Sequence, residues 1–292
     1  MRVIAVFNHK GGVGKTTTVA NLGAALARAG RRVLLIDCDP QANLTVHFGI
    51  DLEDPGKTLY DVLTADAPFA DAVREAEEEN LWILPSHLDL AGAELELATA
   101  MGRERIVKDA LDTYLQEHED LDYVLFDCPP SIGLLTVNTL TATDEVIVPL
   151  QTEFLALRGV GKLIEVVNKV RRRLNPDLQI TGILPTLSRT GTLLAREVMD
   201  EIETHFGDRV FKTRIRSNVR LAEAPSHGKS IFAYDRRSAG AEDYAALAVE
   251  VEAMKVPHRR IVKTDPVVDI QAIMTRLQPQ DPSEPRPASP EA

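Results

Sequence analysis

Near the start of the chain, Lys10-Gly11-Gly12-Val13-Gly14-Lys15-Thr16-Thr17 follows the apolar run Val3-Ile4-Ala5-Val6-Phe7 and opens an alanine-rich helical stretch. A glycine-rich turn between a strand and a helix lets backbone N–H groups converge on an anion, and the helix N-terminus adds its positive end. Lys15 would place a point charge on the β- and γ-phosphates of a nucleotide, and Thr16 would offer a hydroxyl to Mg²⁺. The usual spacing asks for glycine where this chain has His9. It also carries an extra lysine, Lys10, inside the loop. Two lysines in one loop cannot easily serve the same phosphate from the same direction, which leaves Lys10 for another task.

Three carboxylates follow. Asp127 closes Tyr123-Val124-Leu125-Phe126, the pattern of an apolar strand ending in Asp that holds Mg²⁺ in phosphate-loop enzymes. Asp37 and Asp39, in Asp37-Cys38-Asp39-Pro40-Gln41, end another apolar run, and Asp37 would sit beside the metal through water. For these groups to meet, their strands must lie side by side with carboxyl ends pointing at the cradle.

Short apolar runs alternating with helical patterns predict that arrangement: an α/β fold with one doubly wound, mostly parallel sheet covered by helices on both faces. Strands are expected over Val3–Phe7, Arg32–Asp37, Leu81–Leu84, Tyr123–Asp127, Glu145–Pro149, Gln179–Pro185 and Val210–Ile215. Helices are expected over Lys15–Ala29, Arg103–His118, Leu155–Leu174 and Ser238–Met254. No internal repeat or long linker divides residues 1–256, which read as one phosphate-loop domain. Residues 257–292 are crowded with proline and read as a flexible tail, with a short apolar-periodic stretch at Val267–Leu277.

Bulk properties narrow the function classes. The chain has 292 residues and a net charge of −11. No run approaches the roughly 18–20 uncharged apolar residues of a membrane span, and the N-terminus lacks a signal-peptide pattern, so a cytoplasmic protein is expected. Cys38 and Cys128, the two cysteines, each end an apolar run beside an Asp. They read as small buried residues rather than a disulfide or metal pair. The overall charge argues against nucleic acid, but its distribution reverses that inference: residues 1–156 balance to −15, residues 157–263 to +7 and residues 264–292 to −3. A basic segment within an acidic protein suits one face turned to DNA.

The loop, the Asp37–Gln41 stretch and Asp127-Cys128-Pro129-Pro130-Ser131 together resemble the ParA partition ATPases of the deviant Walker group. Asn218-Val219-Arg220-Leu221-Ala222-Glu223-Ala224-Pro225-Ser226-His227-Gly228-Lys229 is similar to that family's N-V-R-L-x-E-A-P-S-x-G-K stretch, and the resemblance spans residues 1 to about 254. It implies a weak Mg²⁺-dependent ATPase that cradles ATP with Lys10, Gly11, Gly12, Val13, Gly14, Lys15, Thr16 and Thr17. Thr16, Asp37 and Asp127 would serve the metal. Lys10 would reach across a homodimer interface to the partner's ATP, and Asp39 would orient the attacking water.

Further along, the resemblance implies adenine contacts from Asn218 and from the position two before it. That position is Arg216 here, where the family usually has proline, and Ser217 stands where it usually has arginine. Arg189 and Arg220 match its DNA-contacting arginines. Arg171-Arg172-Arg173, Lys212 and Arg214 could widen the same surface for non-specific double-stranded DNA. A ParB-type centromere-binding partner would stimulate hydrolysis, and the protein would be nucleoid-associated.

Larger family members begin with a helix-turn-helix domain, whereas this chain reaches its first strand at Val3 and resembles the short form. A MinD-like division-site ATPase shares the loop but needs a basic amphipathic C-terminal helix. The tail stretch offers only Arg276, so no stable membrane association is expected. A nitrogenase-reductase-like electron carrier needs cluster cysteines placed elsewhere. A metabolic ligase or amidotransferase of the same superfamily lacks the match at Asn218–Lys229.

Overall fold

Continuous Val/Ile/Leu runs with no polar alternation require cover on both faces, and the structure supplies it. A computed structural model describes residues 1–151, 154–188 and 193–254. Its strands are β1 (Arg2–Val6), β2 (Val33–Asp37), β3 (Arg74–Glu75), β4 (Leu81–Leu84), β5 (Tyr123–Asp127), β6 (Glu145–Gln151) and β7 (Gln179–Thr186). The helices are α1 (Lys15–Arg28), α2 (Asn43–His47), α3 (Leu59–Thr64), α4 (Phe69–Ala72), α5 (Leu90–Glu96), α6 (Ile106–Glu117), α7 (Leu134–Ala142), α8 (Phe154–Arg173), α9 (Leu193–Phe206), α10 (Val219–Glu223), α11 (Ile231–Asp235) and α12 (Ala239–Ala253).

One sheet runs in the order β3-β4-β2-β5-β1-β6-β7. Every pairing is parallel except that of β3 with β4. Alternation along the strands sorts the core into two layers. Val3, Ala5, Leu34, Ile36, Val124, Phe126, Val146 and Val148 face one layer with α3, α6, α7 and α8. Ile4, Val6, Val33, Leu35, Leu125 and Ile147 face the other, against α1 and α12.

The chain winds outward in both directions from β1. Helix α1 carries it to β2 on the far side of β5, and α7 returns it from β5 across β1 to β6. Reversal at this point leaves a crevice at the carboxyl ends of β1, β2 and β5, where ligands of such sheets bind. Strand register does the rest: Asp37 pairs with Asp127, and Val6 pairs with the same Asp127.

Two expectations need correction. Val210–Ile215 is not a strand; it holds only the isolated parallel bridge of Ile183 with Val210, and Ser188 bridges Arg216 just past its end. The N–H groups of Lys212 and Thr213 donate instead to the Glu250 carboxylate at 2.7 and 2.9 Å, which draws the segment off the ladder toward α12. β3 is two charged residues between Val73 and Ala76, too short to carry a periodic signal. Helix α6 also starts at Ile106, three residues later than expected. The tail 257–292, with its Val267–Leu277 stretch, lies outside the described residues.

Behind the crevice, α2 buries His47 at 1% exposure. Burial disfavours the imidazolium and lowers its pKa to about 4. The unfolded chain therefore takes up a proton near pH 6.5 that the folded chain refuses until about pH 4, so acidification through this window costs stability. The full difference is about 3 kcal/mol. Denaturant unfolding at stepped pH should show a shallower loss between pH 6.5 and 4 for His47→Gln than for the parent. Identical slopes would show that His47 contributes nothing to acid sensitivity.

Candidate functional site: a phosphate cradle above buried carboxylates

Gly12 and Gly14 both occupy left-handed backbone, with φ of 71° and 88°, a conformation that side-chain-bearing residues rarely adopt. Gly14 is also the residue that caps α1. Carbonyls around the loop are tethered by the surrounding elements. Val13 accepts from Thr186 Oγ1 at 2.8 Å, Gly12 from Gln151 Nε2 at 3.1 Å, and Lys10 from Lys15 Nζ at 3.5 Å. The Lys10 N–H donates to Asn8 Oδ1 at 3.0 Å, so the amides that would meet an anion are those of the turn after it.

The two loop lysines diverge. Lys15 is buried at 7% exposure beneath the turn, whereas the Lys10 ammonium donates to Gln151 Oε1 at 2.9 Å at the rim. His9, standing where glycine is usual, lies against α8: a Cβ on Gly159 would come within 2.6 Å of its ring. Burial, then the cations Lys162 and Lys15, lower the His9 pKa and keep it neutral. The departure from the usual loop spacing is thus a packing contact.

Below the loop, Thr16 Oγ1 donates to Asp127 Oδ2 at 2.6 Å. The second Asp127 oxygen, Oδ1, is buried with no hydrogen-bond partner among the described residues. An uncompensated carboxylate oxygen beside a threonine hydroxyl is the donor set that a hard divalent cation such as Mg²⁺ completes. Burial, and then the charge of Asp37, drive the Asp127 carboxyl well above the ordinary range. Burial also raises Asp37, opposed by hydrogen bonds from Thr45 and from the Asp39 N–H. Both Asp37 oxygens are engaged: Oδ1 accepts Asp39 N at 3.1 Å, and Oδ2 accepts Thr45 N at 2.9 Å and Thr45 Oγ1 at 2.8 Å. Asp39, 7% exposed, accepts Gln41 N at 3.0 Å on its Oδ1.

The other expected site residues lie toward α12. Asn218 caps α10, its Oδ1 accepting the N–H of Arg220 at 2.8 Å. Arg216 is held by α12: its guanidinium reaches Asp243 at 2.7 Å, Glu242 at 3.0 Å and the Ala239 carbonyl at 3.1 Å. Arg220, half-exposed, pairs with Glu223 at 2.8 Å and Asp235 at 3.5 Å. Arg171 leaves the proposed basic surface, because it is buried and bonds Asn168 at 2.6 Å. Arg189 lies outside the described residues. The fold joins the loop to the three aspartates and holds Arg216, Asn218 and Arg220 apart as a second group.

The AAA domain family matches residues 1–180. The chain is 49% identical over 252 residues to the sporulation initiation inhibitor protein Soj of Bacillus subtilis, covering 86% of this chain and 98% of that one. It is 46% identical to the chromosome partitioning protein ParA of Caulobacter vibrioides, over 86% and 94% of the two chains. The chain belongs to the ParA/Soj family of partition ATPases. Among solved structures, a cobyrinic acid a,c-diamide synthase from Mycobacterium smegmatis with bound ADP and magnesium is 40% identical, with a TM-score of 0.75 over 86% and 94% of the chains. The cell division ATPase MinD of Pyrococcus furiosus is 28% identical, with a TM-score of 0.69 over 86% and 98%.

Several residues of this ParA/Soj site were not singled out in the sequence. Gln151 and Thr186 sit at the carboxyl ends of β6 and β7, where the strand-end rule points. Thr45 and Ser86 had no such signal. Asn21 ties α1 to the late segment by accepting the Ile231 N–H at 2.7 Å.

A ligand that satisfies the orphaned Asp127 oxygen and the cradle together should stabilise the fold by mass action. An ATP analogue with Mg²⁺ at about a hundredfold excess over Kd should raise the melting midpoint by roughly 5–10 °C. Asp127→Ala should lose the part of that rise that EDTA removes from the parent. An EDTA-sensitive rise of parental size in the variant would place the metal elsewhere.

Proposed function

We propose that this chain is an ATP- and Mg²⁺-dependent partition ATPase whose ATP-bound homodimer holds double-stranded DNA without sequence preference. A ParB-type centromere-binding partner stimulates hydrolysis and releases it, and the output is the position of a chromosome or plasmid. The divergence of the two loop lysines carries the reading: Lys15 is enclosed by its own loop, while Lys10 stands at the rim, where a second copy would dock.

Mg²⁺, where bound, would supply charge neutralisation for the transferring phosphate. Lys15 balances the phosphate charge from within the loop, Thr16 and Asp127 hold the metal, and Lys10 contributes a cation to the facing subunit. Asp39 holds water in line with the γ-phosphate. Phosphoryl transfer depends mainly on positioning and charge neutralisation, so a carboxylate that holds water in line is sufficient for a slow reaction. Asn218 and Arg216 face the adenine side in this reading. Arg220 and Arg189 contact DNA phosphates, which position a protein without reading sequence.

The amide-ligase reading has less support. A ligase that takes nitrogen from glutamine needs a reactive thiolate, and Cys38 and Cys128 are both fully buried with thiols pushed upward by desolvation. Among the described residues no helix is long and apolar enough to cross a membrane.

DNA retention at fixed salt should require ATP and fail with ADP or no nucleotide. Arg220→Glu should weaken ATP-dependent retention by on the order of tenfold or more. Equal retention under all conditions would remove DNA from the proposal, and ATP-dependent pelleting with anionic vesicles would favour the MinD-like alternative. In light scattering with a non-hydrolysable analogue, Lys10→Ala should bind nucleotide yet remain single chains. Asp39→Ala should accumulate the ATP dimer while hydrolysis falls. Loss of nucleotide binding in Asp39→Ala would overturn its assigned role.

A further inference from the structure

Asp39 sits in a turn whose geometry is set from outside the nucleotide motifs. Pro40 follows it, and Ala42, fully buried, is held in left-handed backbone at φ 52°, a cost that surrounding contacts must offset. The Asp39 carbonyl accepts two bonds, from Ala42 N at 2.8 Å and from the Ser86 hydroxyl at 2.8 Å. Ser86 lies just past the end of β4, and the preceding Pro85 carbonyl is fixed by Leu59 N at 2.9 Å. The Ser86 N–H donates to Thr45 Oγ1 at 2.8 Å, and that hydroxyl donates in turn to Asp37 Oδ2 at 2.8 Å. The Asp39 N–H donates to Asp37 Oδ1 at 3.1 Å and closes the ring. Thr45 and Ser86 have no solvent exposure. Their hydroxyls are therefore committed to these bonds, since a buried unpaired hydroxyl is costly.

We propose that Ser86 and Thr45 are positioning residues for hydrolysis: the Ser86 hydroxyl sets the direction of Asp39 through its main chain, and Thr45 sets the spacing between Asp37 and Ser86. The inference rests on the reading of Asp39 as the group that orients water. A displacement of about 1 Å at such a group costs on the order of a hundredfold in rate without touching substrate binding. Both hydroxyls are spent on protein groups, Ser86 on the Asp39 carbonyl and Thr45 on Asp37, so their effect belongs to kcat rather than to KM.

Single-turnover hydrolysis and nucleotide affinity should be measured on the full chain for Ser86→Ala, Thr45→Val, Thr45→Ser and Asp39→Ala, with Ser86→Ala also introduced into Asp39→Ala. Ser86→Ala and Thr45→Val should slow hydrolysis by at least tenfold with nucleotide affinity within twofold of the parent, and Thr45→Ser should restore the rate. In the Asp39→Ala background, Ser86→Ala should have no further effect, because the two residues act as one unit.

The proposal is overturned if Ser86→Ala and Thr45→Val hydrolyse like the parent while Asp39→Ala does not. It is also overturned if rate and affinity fall together, or if the Ser86→Ala loss persists in full without Asp39. Parental hydrolysis by Asp39→Ala would instead overturn the underlying assignment of Asp39.

Discussion

Two carboxylates share the same dry crevice because β2 and β5 are neighbours in register, with Asp37 opposite Asp127. Each is out of water, and the charge of Asp37 raises the proton affinity of Asp127 further. A sheet does not keep two desolvated acids side by side for stability, since apolar residues of similar size would serve the core better. Their retention makes sense around a cation, and the surrounding elements are arranged accordingly. Asp37 is held on both oxygens by three backbone and hydroxyl donors, which fixes its position. Asp127 spends one oxygen on Thr16 and leaves the other uncommitted among the described residues. Helix α1 delivers Thr16 and Lys15 to this point because Gly12 and Gly14 permit the turn before it.

The central architecture was legible because it depends on signals that survive in sequence. β2 and β5 are five-residue runs buried throughout, and their terminal aspartates announce where the crevice must be. The Lys10–Thr17 loop could be read for the same reason: only particular residue types permit its backbone. The illegible parts are those in which one polar side chain decides a backbone's fate from a distance. Glu250 diverts Lys212 and Thr213 from the ladder across more than thirty positions of sequence. Ser86 and Thr45 are separated by 41 residues and meet only because β4 pairs with β2. Arg171 reads as surface charge within an arginine run, yet the helix phase turns it inward to Asn168.

Helix α2 connects the two groups of site residues. Thr45 faces Asp37 from its interior, and His47 lies two residues on. Just beyond the helix, Gly49 approaches Gly228 so closely that a Cβ on Gly228 would stand 3.0 Å from the Gly49 Cα. The helix that supports Asp37 therefore leads directly into a backbone contact with the segment that follows Arg220. On the opposite side, Asn21 bonds Ile231 from α1, the helix that opens the phosphate cradle. One joint is packed backbone and the other a single short side chain, so neither contains a long side chain that could absorb a shift.

The basic excess of residues 157–263 overstates the charge available to an anionic partner. Arg216 is committed to Asp243 and Glu242, Arg214 reaches Glu203 at 3.4 Å, and Arg220 pairs with Glu223. These pairs differ in how readily they exchange. Asp243 is nearly enclosed, so withdrawing Arg216 would strand a buried acid, a costly rearrangement. Arg220 and Glu223 are both exposed to solvent, and such a pair is worth only about 0–1 kcal/mol. Trading Glu223 for a phosphate gains counterion release at little internal cost. By this reasoning Arg214 and Arg220 can exchange partners more readily than Arg216, which ties the late segment to α12.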